Sequence, residues 1–314
     1  MITTAVKPRS CRELLRDYEK TKRILRNDRL PFSYREGYDV YNVSVPFHDE
    51  TGTYIAARVD RRRSERSKVV IFGEEDGVFR PVFPRIVFHS FQDPFVAYVG
   101  GELVLGGVQV ETDPLRPRRI VNWRTLFYRG KDVRHLKLFA MGPNRMKDIR
   151  LVGLRDGRVG VFTRPQGGTA GKGKIGYLTL GSLDKLNEES ILRARICGSF
   201  FLSSEWGGVN DIHLLENGLL GIVGHIAYLN GKNEKHYYSS AFAFRPETRE
   251  HSPLKIIAAR ADFMNGPAKT GGLRDVLFPG GLIPGGERAW LYAGVSDADA
   301  QRVEIENPFL EYEA

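Results

Sequence analysis

Hydrophobic and polar residues follow two different patterns along the chain. Near the N-terminus, Ser10 and Glu13 have the spacing of a capping box, which predicts the start of a helix. The apolar residues that follow fall near one helical face, and we expect the helix to run to about Asn27: Leu14, Leu15, Tyr18, Ile24 and Leu25.

Beyond about residue 30 the pattern changes to short runs rich in Val, Ile, Phe and Tyr. Gly, Asp-Gly or Asn-Gly turns separate these runs, which is typical of β-strands joined by hairpins. The clearest runs are 54–59, 68–72, 102–110, 158–163, 219–223, 238–244 and 289–293. The sequence therefore predicts an all-β chain with an N-terminal helix.

Five segments of the chain share one pattern, in which an Asp precedes an apolar strand, a turn and a second strand. They begin about 54 to 64 residues apart, at Asp39, Asp93, Asp148, Asp211 and Asp275. Four strands of ordinary length with their turns need that much chain, which is the size of one propeller blade. We predict an N-terminal helical extension, residues 1–30, and a single domain, residues 31–314, folded as a five-bladed β-propeller.

The repeated aspartates indicate where chemistry could occur. The first strand of each blade lines the propeller axis, so a polar residue repeated at its start would project into the central funnel. Any one of these aspartates could instead cap a turn or accept backbone hydrogen bonds between blades. That explanation is weaker for all five together, because their mutual repulsion would have to be offset by cations, raised pKa values or function.

Composition and charge narrow the class of protein. The net charge of the 314-residue chain is +9, which favours anionic partners. Two basic clusters are interpreted as solvated loop faces: Arg58, Arg61, Arg62, Arg63, Arg66 and Lys68, and a second from Arg116 through Arg118 to Lys137. We expect no nucleic-acid partner, because no RNA-binding motif or recognition helix accompanies them.

Other classes of site and location have little support in the sequence. No segment is long and apolar enough to suggest a membrane span, and no leader is recognisable, so the cytoplasm is the expected location. The two cysteines, Cys11 and Cys197, lack the spacing of a disulfide scaffold or a zinc site. We therefore expect neither a metal nor a cofactor.

Carboxylates in a funnel suit glycosidic-bond chemistry, in which a carboxylic acid protonates the departing oxygen. A water nucleophile then needs a second carboxylate as base, whereas phosphate needs cations to hold it. Basic residues do accompany the repeated strands: Lys147, Arg150, Arg164 and His225. This combination favours phosphate as the nucleophile.

At these residues the chain resembles a known family. The signatures, in order, are Asp93-Pro94, Lys147-Asp148, Gly157, Arg164-Pro165, His225, Tyr237-Tyr238, Phe278-Pro279-Gly280-Gly281 and the run Tyr292 to Asp297. They resemble the mannosyltransferase/phosphorylase family that acts on β-1,2-mannan, and are similar to the β-mannoside phosphorylases of glycoside hydrolase family 130. The family's usual Glu-Asp-Pro-Arg is Gln92-Asp93-Pro94-Phe95 in this chain.

The resemblance implies an inverting transfer of mannose between β-1,2-mannooligosaccharides and phosphate or a nucleotide diphosphate. It implies that Asp93 is the general acid, that Lys147, Arg164 and His225 bind phosphate, and that Asn42 and Asp297 contact sugar. The other candidates for sugar binding are Asp39, Asp148, Asp211, Asp275, Tyr292 and Trp206. Expected partners are mannose oligosaccharides with mannose 1-phosphate, inorganic phosphate or a nucleotide sugar, and a homo-oligomer is possible.

Two alternatives remain open from the residues alone. A hydrolase would need a second carboxylate to activate water, and Glu205, beside Trp206, is the candidate. His213, two residues after Asp211, is a further candidate to line the funnel. The chain could also be a non-catalytic propeller that binds partners through its loops.

Overall fold

A computed structural model describes residues 4, 7–62, 64–83, 85–116, 119–198 and 200–313 of the chain. Strands hold 51% of the residues and helices 12%, so the protein is mostly β, as the short apolar runs predict. Each of the seven runs overlaps a strand. Arg63 and Arg118 of the two basic clusters lie outside the described residues.

The N-terminal helix, α1, spans Cys11–Thr21 and begins with the expected capping box between Ser10 and Glu13. The prediction that it continues to about Asn27 is wrong. The next segment is strand β1, Ile24–Arg29, which pairs with a strand near the C-terminus. This pairing prevails over the helical spacing of Ile24 and Leu25, because tertiary contacts override a weak local preference.

The first sheet has its strands in the order β2-β4-β5-β6, with β3 on β4 and β7 on β5. All its pairs are antiparallel. The strands are β2 Tyr38–Val43, β3 Phe47–Asp49, β4 Gly52–Arg61, β5 Lys68–Glu75, β6 Val78–Pro81 and β7 Val87–His89.

The second and third sheets are antiparallel and run in chain order, β8-β9-β10-β11 and β12-β13-β14-β15. The second sheet comprises β8 Phe91–Val99, β9 Glu102–Thr112, β10 Ile120–Gly130 and β11 Lys137–Met141. The third sheet comprises β12 Arg150–Gly153, β13 Val159–Thr163, β14 Gly176–Leu180 and β15 Arg195–Ile196, with the short helix α2, Glu188–Leu192, before β15.

The fourth sheet is the largest and contains two antiparallel halves. Its strands are β16 Trp206–Leu214, β17 Leu220–Leu229, β18 Lys235–Phe244, β19 Lys255–Ala258, β20 Asp275–Gly285, β21 Arg288–Val295 and β22 Asp299–Glu306, followed by helix α3, Leu310–Glu313. A short parallel pairing of β18 with β20 joins the halves, through His236 with Asp275 and Tyr237 with Val276. β1 completes the second half on the outer side of β22.

The hydrophobic core consists of clusters that lie between successive units rather than at one centre. The first sheet packs on the second, the second on the third, and the third on the β16–β19 half. That half packs on the β20–β22 half, which in turn packs on the first sheet through Tyr292, Val43 and Ile55. The packing thus returns to its starting point, and the inner strands of all units surround one polar cavity.

Candidate functional site

A polar cavity of about 400 Å³ lies where the sheets meet, a size suited to a small ligand. Every sheet contributes to its lining: Asn42 from β2, Asp93 from β8, Arg164 after β13, His225 from β17 and Phe278 from β20. Side chains far apart in sequence therefore form one site.

Unusual backbone conformations direct polar side chains to this cavity. Asn42 and Asp93 have φ of 43° and 50°, and the strand pairing of β2 and β8 shifts register at these two residues. Asp148 and Asp297 also have positive φ, 57° and 50°. Asn and Asp tolerate this left-handed conformation better than most residues, and a bulge re-aims the side chain that it carries.

Asp93 lies in a hydrogen-bonded group with Asn42, Arg58 and Asp297. Asn42 donates from Nδ2 to Asp93 Oδ1 at 2.8 Å, and the same nitrogen is 3.4 Å from Asp297 Oδ1. Arg58 Nη1 donates to Asp93 Oδ1 at 3.2 Å. A glycine at 294 is needed here, because a Cβ would lie 1.8 Å from Asn42 Oδ1.

The pKa values of the two carboxyl groups in this cluster are shifted in opposite directions. Burial opposes ionisation of Asp93, but Arg58, Lys147 and the amide of Asn42 outweigh it and hold the pKa of Asp93 below its ordinary value. Burial raises the pKa of Asp297; Arg58 opposes this rise and the charge of Asp93 reinforces it. Of the two carboxyl groups, Asp297 therefore takes up a proton more readily than Asp93.

Lys147, Arg164 and His225 line the same cavity, as predicted for a shared anion site. Arg164 is almost completely buried and donates from Nη1 to Asp148 Oδ2 at 2.7 Å. Burial opposes ionisation of Asp148, but Arg164 and Lys147 hold its pKa far below the ordinary range. Arg164 Nε and Asp148 Oδ1 are buried and have no hydrogen-bond partner among the described residues.

His225 is fixed by a chain of hydrogen bonds. Its Nδ1 lies 2.7 Å from Asn210 Oδ1, and Asn210 donates from Nδ2 to the carbonyl oxygen of Pro279 at 2.8 Å. The ring stacks on Tyr237, with 5.5 Å between centroids. Burial lowers the pKa of His225 to about 3; Asp148 opposes this shift, and Arg164 and Lys147 reinforce it.

Sequence reasoning missed several residues of the cavity. Arg58, assigned to a solvated basic cluster, is buried among Asp60, Asp93 and the ring of Tyr41. A signal was present, since Arg58 stands between Ala57 and Val59 in a predicted strand. Lys269 is also buried and contacts Asp60 at 3.2 Å, but its glycine-rich surroundings gave no comparable signal. Glu65 and Lys235 were also missed, and Tyr237, which was noted only as part of a signature, lines the cavity as well.

The prediction that five aspartates meet in one funnel is wrong for three of them. Asp39 precedes the bulge residue Asn42 on β2 and accepts a hydrogen bond from Arg62 Nε at 2.8 Å, away from the cavity. Asp211 follows the bulge residue Asn210 and accepts from the Leu282 amide at 2.9 Å.

Asp275 begins β20 and accepts hydrogen bonds from His236 Nδ1 at 2.6 Å and from the Tyr238 hydroxyl at 2.7 Å. All three of these carboxylates are thus used in contacts away from the cavity, and bulges at Asn42 and Asn210 lie near Asp39 and Asp211. Asp93 and Asp148 do line it, and Asn42 takes the place expected for Asp39.

Two predicted sugar contacts lie behind the cavity wall rather than in it. Trp206 is buried and donates from Nε1 to the Tyr237 hydroxyl at 3.0 Å, so it positions a lining residue. Tyr292 is part of the core between the first and last units, and its hydroxyl accepts from Arg302 at 3.2 Å. Both aromatic rings are used for packing.

The remaining candidates have structural contacts. Glu205 accepts a hydrogen bond from the Cys11 amide at 2.7 Å, at the start of α1, and does not line the cavity. His213 pairs with Asp211 at 3.0 Å instead of lining the funnel. Arg150 donates from Nε to the carbonyl oxygen of Asn210 at 2.8 Å and stacks on Phe95.

Within the described residues no group of three His, Cys, Asp or Glu side chains is arranged to hold a metal ion. None of the helices in the described part of the chain is both long and apolar enough to span a bilayer.

Solved structures of two proteins from Leishmania mexicana resemble this chain over nearly its whole length. MPT-4, a mannose phosphorylase in complex with phosphate ion, is 33% identical with a TM-score of 0.88, covering 96% of this chain and 95% of that chain. MPT-1, a GDP-Man-dependent mannosyltransferase, is 30% identical with a TM-score of 0.88, covering 98% of each. The predicted resemblance to the mannosyltransferase/phosphorylase family is therefore confirmed.

The family model described as a protein of unknown function, DUF1861, matches residues 16–311, and the chain belongs to this family. The β-1,2-mannobiose phosphorylase from Listeria innocua shares the fold at 13% identity, with a TM-score of 0.63 over 90% of this chain and 94% of that chain. No curated protein sequence matches the chain.

Proposed function

We propose that the protein is an inverting β-mannoside phosphorylase or mannosyltransferase. In this proposal it transfers mannose between β-1,2-mannooligosaccharides and phosphate or a nucleotide diphosphate. The observation that carries the proposal is the shared cavity, which holds Asp93 together with the three predicted phosphate-binding residues, Lys147, Arg164 and His225. The likeness to MPT-4 and MPT-1 supports the same substrate class.

We also infer that the fold is a five-bladed β-propeller. Three blades would be the first, second and third sheets, and the halves of the fourth sheet, β16–β19 and β20–β22 with β1, would be the other two. The core clusters between successive units, including the one between the last unit and the first, support a closed ring.

A single displacement explains how this site would act in the direction of phosphorolysis. Asp93 donates a proton to the glycosidic oxygen as its bond to the anomeric carbon breaks. A phosphate oxygen held by Lys147 and Arg164 forms the new bond from the opposite face. The products are α-mannose 1-phosphate and the shortened sugar with a new hydroxyl, and Asp93 is left as a carboxylate.

The charge state of the unliganded site suits the reverse reaction directly. There Asp93 acts as base and removes the proton from the attacking acceptor hydroxyl, and its low pKa keeps it ionised beforehand. In the forward direction Asp93 must first gain a proton. Bound phosphate would favour this step, because its negative charge offsets Lys147, one of the cations that lower the pKa of Asp93.

A hydrolase has less support than it had from the sequence. Its candidate base, Glu205, is occupied at the start of α1. Of the other cavity carboxylates, Asp148 pairs with Arg164, which leaves Asp297 and Glu65 as candidates for a base. The cations beside Asp148 suit an anionic nucleophile better than they suit activation of a neutral water.

The proposal is tested by incubating the protein with β-1,2-mannobiose and inorganic phosphate and following mannose 1-phosphate by ³¹P NMR. We expect α-mannose 1-phosphate to form only when phosphate is present, and transfer from mannose 1-phosphate or GDP-mannose to a mannose acceptor in the reverse assay. Release of mannose without consumption of phosphate would favour a hydrolase. No turnover of any mannoside would favour a binding module.

A further inference from the structure

The proton on the His225 ring can be placed from its neighbours. The carbonyl oxygen of Pro279 can only accept a hydrogen bond, so the amide nitrogen of Asn210 must face it. Asn210 Oδ1 then faces His225 and can only accept, so Nδ1 of His225 carries the ring proton. The neutral ring is left with an unprotonated Nε2.

Nε2 of His225 is therefore a hydrogen-bond acceptor. It has no partner among the described residues, although the side chain is almost completely buried and borders the cavity. A buried acceptor without a partner is costly, so a ligand that donates a hydrogen bond there is favoured. Asp148 Oδ1 is a second buried acceptor without a partner at the same end of the cavity.

We propose that His225 selects a phosphate that still carries one proton, with Nε2 accepting a hydrogen bond from its P–OH group. This inference rests on the proposed function, because it assumes that phosphate binds beside Lys147 and Arg164. Those cations attract any tetrahedral dianion, including sulfate. Sulfate has no proton to donate at neutral pH, so it would place an oxygen lone pair against Nε2.

Burial lowers the pKa of His225, and the cations around the ring reinforce this effect, so Nε2 stays unprotonated. A positively charged imidazolium is disfavoured by the nearby cations Arg164, Lys147 and Arg150. Asp148 favours it, but Asp148 is itself paired with Arg164. Asn210 Oδ1 accepts the hydrogen bond from Nδ1 of His225, and Asn210 carries no charge that would stabilise a second ring proton. The cavity therefore offers a bound anion both cationic donors and a neutral acceptor.

The test measures binding of phosphate, arsenate and sulfate to the full chain by isothermal titration calorimetry at pH 8 and fixed ionic strength. Phosphate and arsenate both retain one proton under these conditions. We expect these two to bind comparably and sulfate to bind about 10- to 100-fold more weakly, the usual range for an unpaired buried polar group.

Two variants test whether His225 is the cause. In Asn210→Asp the carboxylate stabilises a doubly protonated ring, so Nε2 becomes a donor and the preference for phosphate over sulfate should shrink towards none. His225→Gln should have the same effect, because its amide can turn its NH₂ group to the anion. Asn210→Asp loses the hydrogen bond to Pro279 and could fail to fold; in that case His225→Gln still tests the inference. The matched control, Lys147→Gln, should weaken both anions and keep their ratio.

The outcomes separate the inference from the proposed function. Equal binding of phosphate and sulfate to the wild-type protein would overturn the inference and leave the phosphate site in place. Unchanged selectivity in both His225→Gln and folded Asn210→Asp would also overturn it. If none of the anions binds and no phosphorolysis occurs, the proposed function fails as well.

Discussion

Arg58 is the cation that most lowers the pKa of both Asp93 and Asp297. Its guanidinium contacts both Asp93 and Asp60 at 3.2 Å, and it lies over the ring of Tyr41. These partners compensate a buried cation, which would otherwise be costly. Because Arg58 shares its charge between the two carboxylates, removal of the charge on Asp93 leaves Arg58 paired with Asp60.

We therefore expect Asp93→Asn to fold normally and to lose activity. The amide keeps the shape of the side chain but cannot transfer the proton, so phosphorolysis of β-1,2-mannobiose should fall by roughly 10²- to 10⁴-fold. An aryl β-mannoside, whose leaving group needs little protonation, should lose less. Initial rates with both substrates, together with thermal unfolding, measure this.

Two companion variants make the result specific to Asp93. Asp39→Asn is the matched control, since Asp39 pairs with Arg62 away from the cavity and should retain full activity. Asp297→Asn tests the neighbouring carboxyl with the raised pKa. If phosphorolysis of β-1,2-mannobiose is lost in Asp297→Asn and retained in Asp93→Asn, the general acid is Asp297 rather than Asp93.

Sequence reasoning located the chemistry of the site better than its exact residues. Asp93 and Asp148 were predicted from the repeated Asp pattern, and the family resemblance at Asp93-Pro94 implied the acid role of Asp93. Asn42 and Asp39 lie on one strand three positions apart, and only the register shift at Asn42 decides which of them faces the cavity. A local bulge depends on pairing with β4, which one strand alone does not encode.

At the scale of elements, the Asp211–His213 pair links the two halves of the fourth sheet. His213 donates to Asp211 within β16, and Asp211 accepts from the Leu282 amide on β20. Burial opposes the imidazolium, but Asp211 outweighs it and raises the pKa of His213. Burial likewise opposes ionisation of Asp211, while His213 and nearby amides lower its pKa.

This pair predicts a specific dependence of stability on pH. Because the pKa of His213 is raised on folding, its contribution is fully present below its unfolded value, near 6.5, and is lost as pH rises through the folded value. The difference in Tm between the wild-type protein and His213→Gln should therefore be larger at pH 6 than at pH 9. The contribution of Asp211 is lost only as pH falls through its own lowered pKa.

Thermal unfolding of both proteins between pH 6 and pH 9 measures the effect. The control is His89→Gln, which replaces an exposed histidine. The control should show no comparable loss with rising pH. A His213→Gln difference that grows with pH would contradict a charged pair at this position.

The first elements of the chain show what local patterns can and cannot predict. The capping box of Ser10 and Glu13 fixes the start of α1 from four neighbouring residues, and the structure agrees. The end of α1 could not be predicted in the same way. Ile24–Arg29 forms a strand because β22, some 270 residues later in the sequence, offers a free edge for it.

At the scale of the whole molecule, the two ends of the chain meet. Asp28 and Arg29 of β1 form ion pairs with Arg302 and Asp299 of β22. The Leu30 amide donates to the carbonyl oxygen of Ala300 at 3.0 Å. The last unit also carries Asp297. Asn42, from the first unit, directs its Nδ2 to Asp297 and to Asp93, which belongs to the second unit. The last unit thus takes part both in the pairing of β1 with β22 and in the lining of the cavity.

Deletion of the N-terminal segment tests this coupling. Loss of residues 1–30 removes β1, leaves the edge of β22 without a partner and removes the Leu30 contact, so we expect a lower Tm, weaker activity and aggregation through the exposed edge. Loss of residues 1–22 removes α1 but keeps β1, so it should cost less stability and leave the cavity contacts in place. Loss of residues 1–7 retains the Ser10 cap and should have little effect.

Thermal unfolding, light scattering and mannobiose phosphorolysis compare the three proteins. If the proteins lacking residues 1–22 and 1–30 have the same Tm and activity, β1 is not needed to close the last unit, and residues 1–30 would behave as the separate extension that the sequence predicts.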